Sequence, residues 1–333
     1  MGICISVASS EIHGAESDDC NQDNVLFLPE NIYPLGIQGL GSLYTKQGSK
    51  GLNQDAAIFY QDYGMEGGAF CGVFDGHGKN GHVVSNMVRN SLPSMLLSQK
   101  NALEKIKTTY EKNCQHQGLL NWEEACISAF KVLDKEIMLQ ENLDCSTSGT
   151  TAVVVVRQSE DLVIANLGDS RAVLGTMTEH GIKAVQLTTD LKPGLPCEAE
   201  RIRNCKGRVL ALKEEPHIQR VWLPHEDSPG LAMSRAFGDF LLKNHGIIAV
   251  PDVFHHHLTT NDQFIVLATD GVWDVLNNNQ VATIVMEAEN EQAAARAVVE
   301  AATATWKRKF PSSKVDDCTV VCLFLQKKQK PIS

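Results

Sequence analysis

Three nearly unbroken apolar runs stand out along the chain: TTAVVVV at 150–156, LVIANLGDSRAVL at 162–174 and FIVLATDGVWDVL at 264–276. Short runs rich in β-branched residues predict strands buried on both faces. A polar GDS tripeptide splits the second run. Two apolar runs about such a tight turn predict a hairpin with Asp169 near its tip. Elsewhere the spacing is helical. Val84, Met87, Val88, Leu92, Met95 and Leu96 line one face, and Pro93 is expected to kink or break that pattern. Trp122, Cys126, Ala129, Phe130, Leu133 and Ile137 predict a second helix, and the alanine-rich stretch 291–306 a third. Strand runs separated by helix pairs, without regular βαβ alternation, predict an α+β layered fold. No linker interrupts residues 36–326, which read as one domain. A polar, acidic extension at 1–35, broken by Pro29 and Pro34, precedes it, and a basic tail at 327–333 follows.

Charge and cysteines narrow the picture. A net charge of −10 and a pI near 5.6 over 333 residues argue against nucleic acid as a partner, and the KKQK tail reads as a solvated end. The ten cysteines are scattered, without a C-x-x-C pair or a secretory signal, which points to a reduced, intracellular protein, and a monomer is expected. Cys318 and Cys322 read as small buried hydrophobes rather than a metal pair. In the HHH run, His255 and His257 would face opposite to His256 on a strand, which reads as solvated surface. No apolar stretch approaches the roughly 20 residues that span a bilayer. The MGICIS start nevertheless fits an N-myristoylation motif at Gly2, with Cys4 open to palmitate. Two acyl chains anchor stably where one binds marginally. Acylation would place the protein at the cytoplasmic face of the plasma membrane, and otherwise it belongs to the cytoplasm or nucleus.

The chemistry lies where apolar runs end. GVFDGHG ends in Asp75 and Gly76 before His77, and VLATDGVWD ends in Asp270 with Asp274 four residues on. VDDCTVVCLFL begins with Asp316 and Asp317, and LNQDAA sets Asp55 before another apolar segment. A lone Asp-Gly is usually a turn. Several carboxylates at buried strand ends can gather on one rim, where they repel unless cations neutralise them. Oxygen donors without Cys or His favour Mg²⁺ or Mn²⁺, so we infer a metal site bridged by Asp75, with Gly76 free of a Cβ that would block its carbonyl. Two such ions activate water and clamp a phosphate ester. His77 then serves as the acid for the leaving oxygen, or else merely caps the turn.

The ordered segments GLNQDAA, FCGVFDGHG, SGTTAVVVV, LVIANLGDSRAVL, LAMSRAFGD, IVLATDGVWDVL and DDCTVV resemble the metal-dependent Ser/Thr protein phosphatases of the 2C type over residues 36–326. The resemblance implies a four-layer α/β/β/α sandwich, two antiparallel sheets flanked by helices. It also implies that water bridging two Mn²⁺ or Mg²⁺ ions attacks phosphoserine or phosphothreonine of phosphoprotein substrates directly, without a phosphoenzyme. Residue by residue, Asp75 would bridge the ions, Gly76 lend its carbonyl, Asp270 and Asp316 complete one ion, and Asp55 support the other through water. Asp169 and Asp274 would hold a third, weaker ion, and His77 would be the acid. Two positions depart from the pattern: Gln54 replaces a common glutamate, and Lys50 stands where many relatives carry the phosphate-binding arginine. Lysine attracts a dianion as a point charge, without the bidentate fork. The MGICIS, GKNGH and VWLPHEDSPGLAMSRAFGD segments look most like a plant subgroup engaged in signalling. Leu212 occupies the position at which the abscisic-acid co-receptor branch has tryptophan, so the likeness to that branch stops there. Residues 190–235 read as a surface flap beside the site. A catalytically weak relative acting as a membrane-recruited binding module is the alternative, and a small phosphate ester the alternative substrate.

Overall fold

The computed structural model describes residues 24–28, 41–110 and 117–326. Gly2, Cys4, Cys20, Pro29, Pro34, Cys114 and the 327–333 tail lie outside the described residues.

In chain order the strands are β1 (Val25–Leu28), β2 (Gly41–Lys46), β3 (Ala56–Gln61), β4 (Ala69–Phe74), β5 (Gly76–His77), β6 (Gly149–Thr150), β7 (Ala152–Gln158), β8 (Asp161–Leu167) and β9 (Arg171–Thr178). They continue as β10 (Gly181–Gln186), β11 (Arg208–Ala211), β12 (Gln219–Trp222), β13 (Pro229–Leu231), β14 (Phe237–Gly238), β15 (Asp252–His257), β16 (Asp262–Ala268) and β17 (Cys318–Phe324). The helices are α1 (Gly81–Tyr110), α2 (Gln117–Met138), α3 (Pro196–Asn204), α4 (Phe240–Lys243), α5 (Asp270–Trp273), α6 (Asn278–Glu287) and α7 (Ala294–Lys309).

Two sheets form the centre, ordered β1-β3-β4-β7-β8-β15 and β10-β9-β16-β17-β2. Side-chain alternation explains why their sequences are apolar throughout. On β7, Val153 and Val155 enter the core between the sheets, while Ala152, Val154 and Val156 enter the core beneath α1 and α2. On β16, Ile265 and Leu267 face the inter-sheet core, and Phe264, Val266 and Ala268 meet α6 and α7. These two central strands are therefore covered on both faces, as the expected four layers require. Val84, Val88, Leu92 and Leu96 of α1 are fully buried at four-residue intervals.

Three local expectations change. The LVIANL and RAVL runs are not a hairpin: β8 lies in the first sheet and β9 in the second. The Gly168-Asp169-Ser170 turn carries the chain between sheets, and Gly168 holds φ at +102°, where a Cβ would meet the Thr151 side chain at 2.6 Å. Pro93 lies inside α1 without ending it, its carbonyl accepting a 2.6 Å hydrogen bond from the Tyr63 hydroxyl. The first sheet is also not wholly antiparallel, since β1 pairs in parallel with β3. The chain leaves β1 for the opposite sheet at β2 and returns into β3 running in the same direction.

The 190–235 segment forms α3 and the β11-β12-β13 ladder around a small core of Ala199, Ile202, Val209, Val221 and Leu223. On β15, His255 and His257 are exposed, while His256 is half-buried and hydrogen-bonds Asp262.

Candidate active site

Strand ends from both sheets meet on one rim. Asp75 follows β4, and Asp169 lies in the crossing from β8 to β9. Asp270 follows β16 and opens α5, and Asp316 precedes β17. Asp75 is locked at its backbone: its N–H donates to Thr151 Oγ1 at 3.0 Å, and its carbonyl accepts from Thr151 N–H at 2.9 Å. Thr151 Oγ1 is in turn 2.7 Å from Ser170 Oγ, which joins the Asp75 and Asp169 turns. Gly76 is required by close backbone packing. A Cβ there would stand 2.4 Å from the Gln54 carbonyl and 2.6 Å from the Gly81 carbonyl.

The carboxylates sense one another strongly. Burial, then Asp270, Asp55, Asp316 and Asp169, raise the Asp75 pKa well above the carboxylate range. Burial, followed by Asp169, Asp316 and Asp274, does the same to Asp270. Asp274 is exposed one turn beyond Asp270. Asp55 lies deeper, with Oδ2 accepting hydrogen bonds from Thr269 Oγ1 at 2.9 Å and Thr319 Oγ1 at 2.6 Å. Burial and Asp317 push its pKa up to about 8. Gln54, the neutral replacement, donates from Nε2 to the Gly78 carbonyl at 2.9 Å.

Two lysines answer this negative charge. Lys50 Nζ donates to Asp316, and Lys192 Nζ donates to Asp169 Oδ2 at 2.9 Å. The loop that carries Lys50 is fixed by Asp317, which accepts from the N–H groups of Gly48 at 2.8 Å and Gln54 at 2.9 Å. Among the described residues, no three His, Cys, Asp or Glu side chains converge closely enough to ligate one ion by themselves. Asp75, Asp270 and Asp316 are each half-buried, so water can reach the rim. That suits Mg²⁺, which takes one or two carboxylates and keeps several waters. The donor set fits a hard divalent cation: mutually repelling carboxylates need positive charge, and the buried Asp169 Oδ1 has no hydrogen-bond partner.

His77 stands beside the rim on β5. It pairs with β6, which pairs with β14, and this narrow ladder delivers Asp239 to the imidazole. His77 Nε2 lies 2.6 Å from Asp239 Oδ2, so the ring does more than cap its turn. Burial works against the charged imidazole, but the charge and hydrogen bond of Asp239 outweigh it and raise the His77 pKa above its usual value. Nδ1 is buried and without a hydrogen-bond partner. Asp239 is itself 1% exposed and left-handed at φ 51°, its N–H donating to the Ser148 carbonyl at 3.0 Å.

Asp239, Lys192, Thr151 and Ser170 escape the sequence reading. Asp239 ends the LAMSRAFGD segment, but no spacing ties it to His77, and a polar residue after an apolar run reads as an ordinary loop.

Comparison with known proteins bears on the family and the fold. A family described as "Protein phosphatase 2C" matches residues 43–308. "Probable protein phosphatase 2C 72" of Arabidopsis thaliana is 55% identical, covering 99% of this chain and 100% of that protein. "Probable protein phosphatase 2C 12" of Oryza sativa subsp. japonica is 46% identical over 98% of this chain and 92% of its own length. The crystal structure of a serine-threonine phosphatase 2C from Toxoplasma gondii superposes with a TM-score of 0.75 at 27% identity, covering 85% of this chain and 93% of the other.

Proposed function

The chain belongs to the protein phosphatase 2C family, and from that premise we propose how this metal-dependent protein-serine/threonine phosphatase works. The carrying observation is the rim on which Asp75, Asp169, Asp270 and Asp316 crowd together from both sheets. We propose that Asp75, the Gly76 carbonyl, Asp270 and Asp316 would hold two Mg²⁺ or Mn²⁺ ions, with Asp55 supporting from behind. Asp169 and Asp274 are the residues for a third, weaker ion. Bound ions would neutralise the phosphate dianion and make water nucleophilic.

The chain's own groups do the rest. Lys50 attracts the phosphate as a point charge from the exposed side of the rim. Asp239 holds the His77 ring through Nε2 and favours its charged form, the acid for the departing serine or threonine oxygen. Lys192 keeps Asp169 oriented. The Thr151 clamp fixes the Asp75 backbone, so its carboxylate needs little reorganisation when substrate arrives. The weak-module alternative is not favoured, because neither Gln54 nor Lys50 replaces a proposed ion ligand.

Phosphate release from a phosphothreonine peptide tests this reading, with Mn²⁺, Mg²⁺ or chelator, alongside Asp75→Asn. Release that needs metal and is lost in the variant is expected. Equal release with chelator would reject the mechanism.

Acylation at Gly2 and Cys4 adds membrane recruitment to this reading, supported by the MGICIS motif. Gly2→Ala then releases the protein from membranes, and unchanged association would exclude a lipid anchor.

A further inference from the structure

Away from the rim, a cavity of about 560 Å³ opens between the β1-β3 edge of the first sheet, the 61–68 turn and α1. Its size falls within the roughly 300–1,000 Å³ range of small-molecule sites. The wall is chiefly apolar: Leu26, Ile58, Tyr63, Pro93 and Leu97 contribute to it, and Ile58, Tyr63 and Pro93 are buried. None of these residues takes part in the catalytic rim.

We propose that this cavity holds the myristoyl chain carried by Gly2 of the same polypeptide. The inference rests on the acylation reading and adds to it a place where the chain resides away from a membrane. Three observations choose this occupant. The described chain begins at Asn24 and enters β1, whose Leu26 is part of the cavity wall, so the N-terminal segment is tethered beside the opening. The roughly 22 peptide units from Gly2 to Asn24 reach at most about 75 Å, ample for Gly2 to return to its own domain. Asp62 and Glu66 also line the site. Their charge disfavours a free fatty-acid carboxylate and tolerates an amide-linked chain, which is neutral where it joins the protein.

The energetics favour a reversible exchange. One myristoyl chain binds membranes with a constant of only about 10⁴ M⁻¹. A cavity of similar affinity, offered at the roughly millimolar effective concentration of a flexible tether, would hold the chain about ten times more often than not. A second acyl group on Cys4 would then favour the membrane, making the cavity the resting site of a singly acylated protein.

The test uses the full chain co-expressed with an N-myristoyltransferase, with acylation read by intact mass. Sedimentation with phosphatidylcholine vesicles compares the acylated wild type with Ser94→Trp, which places an indole in the cavity from the exposed face of α1. The wild type is expected to stay largely in solution, and Ser94→Trp to bind vesicles roughly tenfold better. Equal partitioning overturns the proposal. A ¹³C-labelled myristoyl group on the wild type provides a check independent of the variant's folding: contacts to the Ile58 and Leu97 methyls are expected, and their absence overturns it. Failure of Gly2 to accept the acyl group rejects the occupant. Metal-dependent phosphate release, measured on the same samples, reports separately on the phosphatase reading.

Discussion

His77 and Asp239 are 162 positions apart in the chain and 2.6 Å apart in space, Nε2 to Oδ2. A carboxylate only accepts hydrogen bonds, so this contact fixes a hydrogen on Nε2 and holds the imidazole beside the rim. Asp239→Asn should lower turnover on a phosphothreonine peptide by about tenfold or more, because an alkoxide leaving group needs the proton. Turnover on p-nitrophenyl phosphate, whose leaving group needs none, should fall by less than about threefold. Equal losses on the two substrates would remove His77 from proton transfer.

Metal binding should be visible without catalysis. The rim carboxylates destabilise the fold while they remain ionised and uncompensated, so Asp75→Asn should raise the unfolding temperature in chelator. Ligands that bind only the folded state stabilise it by mass action, and Mn²⁺ should therefore raise the wild-type midpoint. A thermal melt of both proteins with and without Mn²⁺ checks this. The metal-induced rise should be smaller in the variant, and an equal rise would place the ion away from Asp75.

Lys50 is partnered with Asp316 and 54% exposed, so it competes with a cation there and attracts phosphate from solvent. Lys50→Ala should raise KM for a phosphopeptide more than it lowers kcat. It should also reduce the Mg²⁺ concentration for half-maximal activity by up to about fivefold, the scale of one exposed ion pair. Steady-state kinetics at varied Mg²⁺ and substrate separate the two effects. A fall in kcat at unchanged KM would take Lys50 off the phosphate.

The flap beside the site is anchored by Glu198. Its Oε2 accepts from Arg201 and Ser234, each at 2.6 Å, and its Oε1 accepts from Arg235 at 2.8 Å. Burial tends to raise the Glu198 pKa, but these hydrogen bonds outweigh it and hold the carboxyl at about 2. A depressed acid stabilises the fold above its unfolded pKa, and that stability is lost as pH falls from about 4.5 toward 2. Glu198→Gln should cost about 3 kcal/mol near neutral pH by leaving the Arg201 guanidinium without a carboxylate, while Arg235 keeps Asp252. The wild-type advantage in denaturant melts should shrink through that acidic window. An advantage independent of pH would show that packing, not charge, anchors the flap.

Spacing along the chain made α1, α2, α7 and the buried strands legible, because periods near 3.6 and 2 record which faces meet an apolar neighbour. It also revealed the chemistry of the rim, since Asp75, Asp270 and Asp316 each flank an apolar run. Strand pairing was less legible. Apolar residues on both faces of LVIANL and RAVL report burial, but the same pattern fits a hairpin or two strands in opposed sheets. The crossing at Gly168 puts them in opposed sheets.

The sequence by itself therefore determined the principal helices and buried strands, the family and the carboxylates that gather on the rim. Tertiary structure alone decided which distant groups complete it: Asp239 against His77, Thr151 and Ser170 between the Asp75 and Asp169 turns, Lys192 on Asp169 and Lys50 on Asp316. The reason is physical. Periodicity reflects local backbone geometry and average burial, whereas these contacts arise where strands of two sheets and the β5-β6-β14 ladder converge, and that convergence leaves no fixed spacing along the chain.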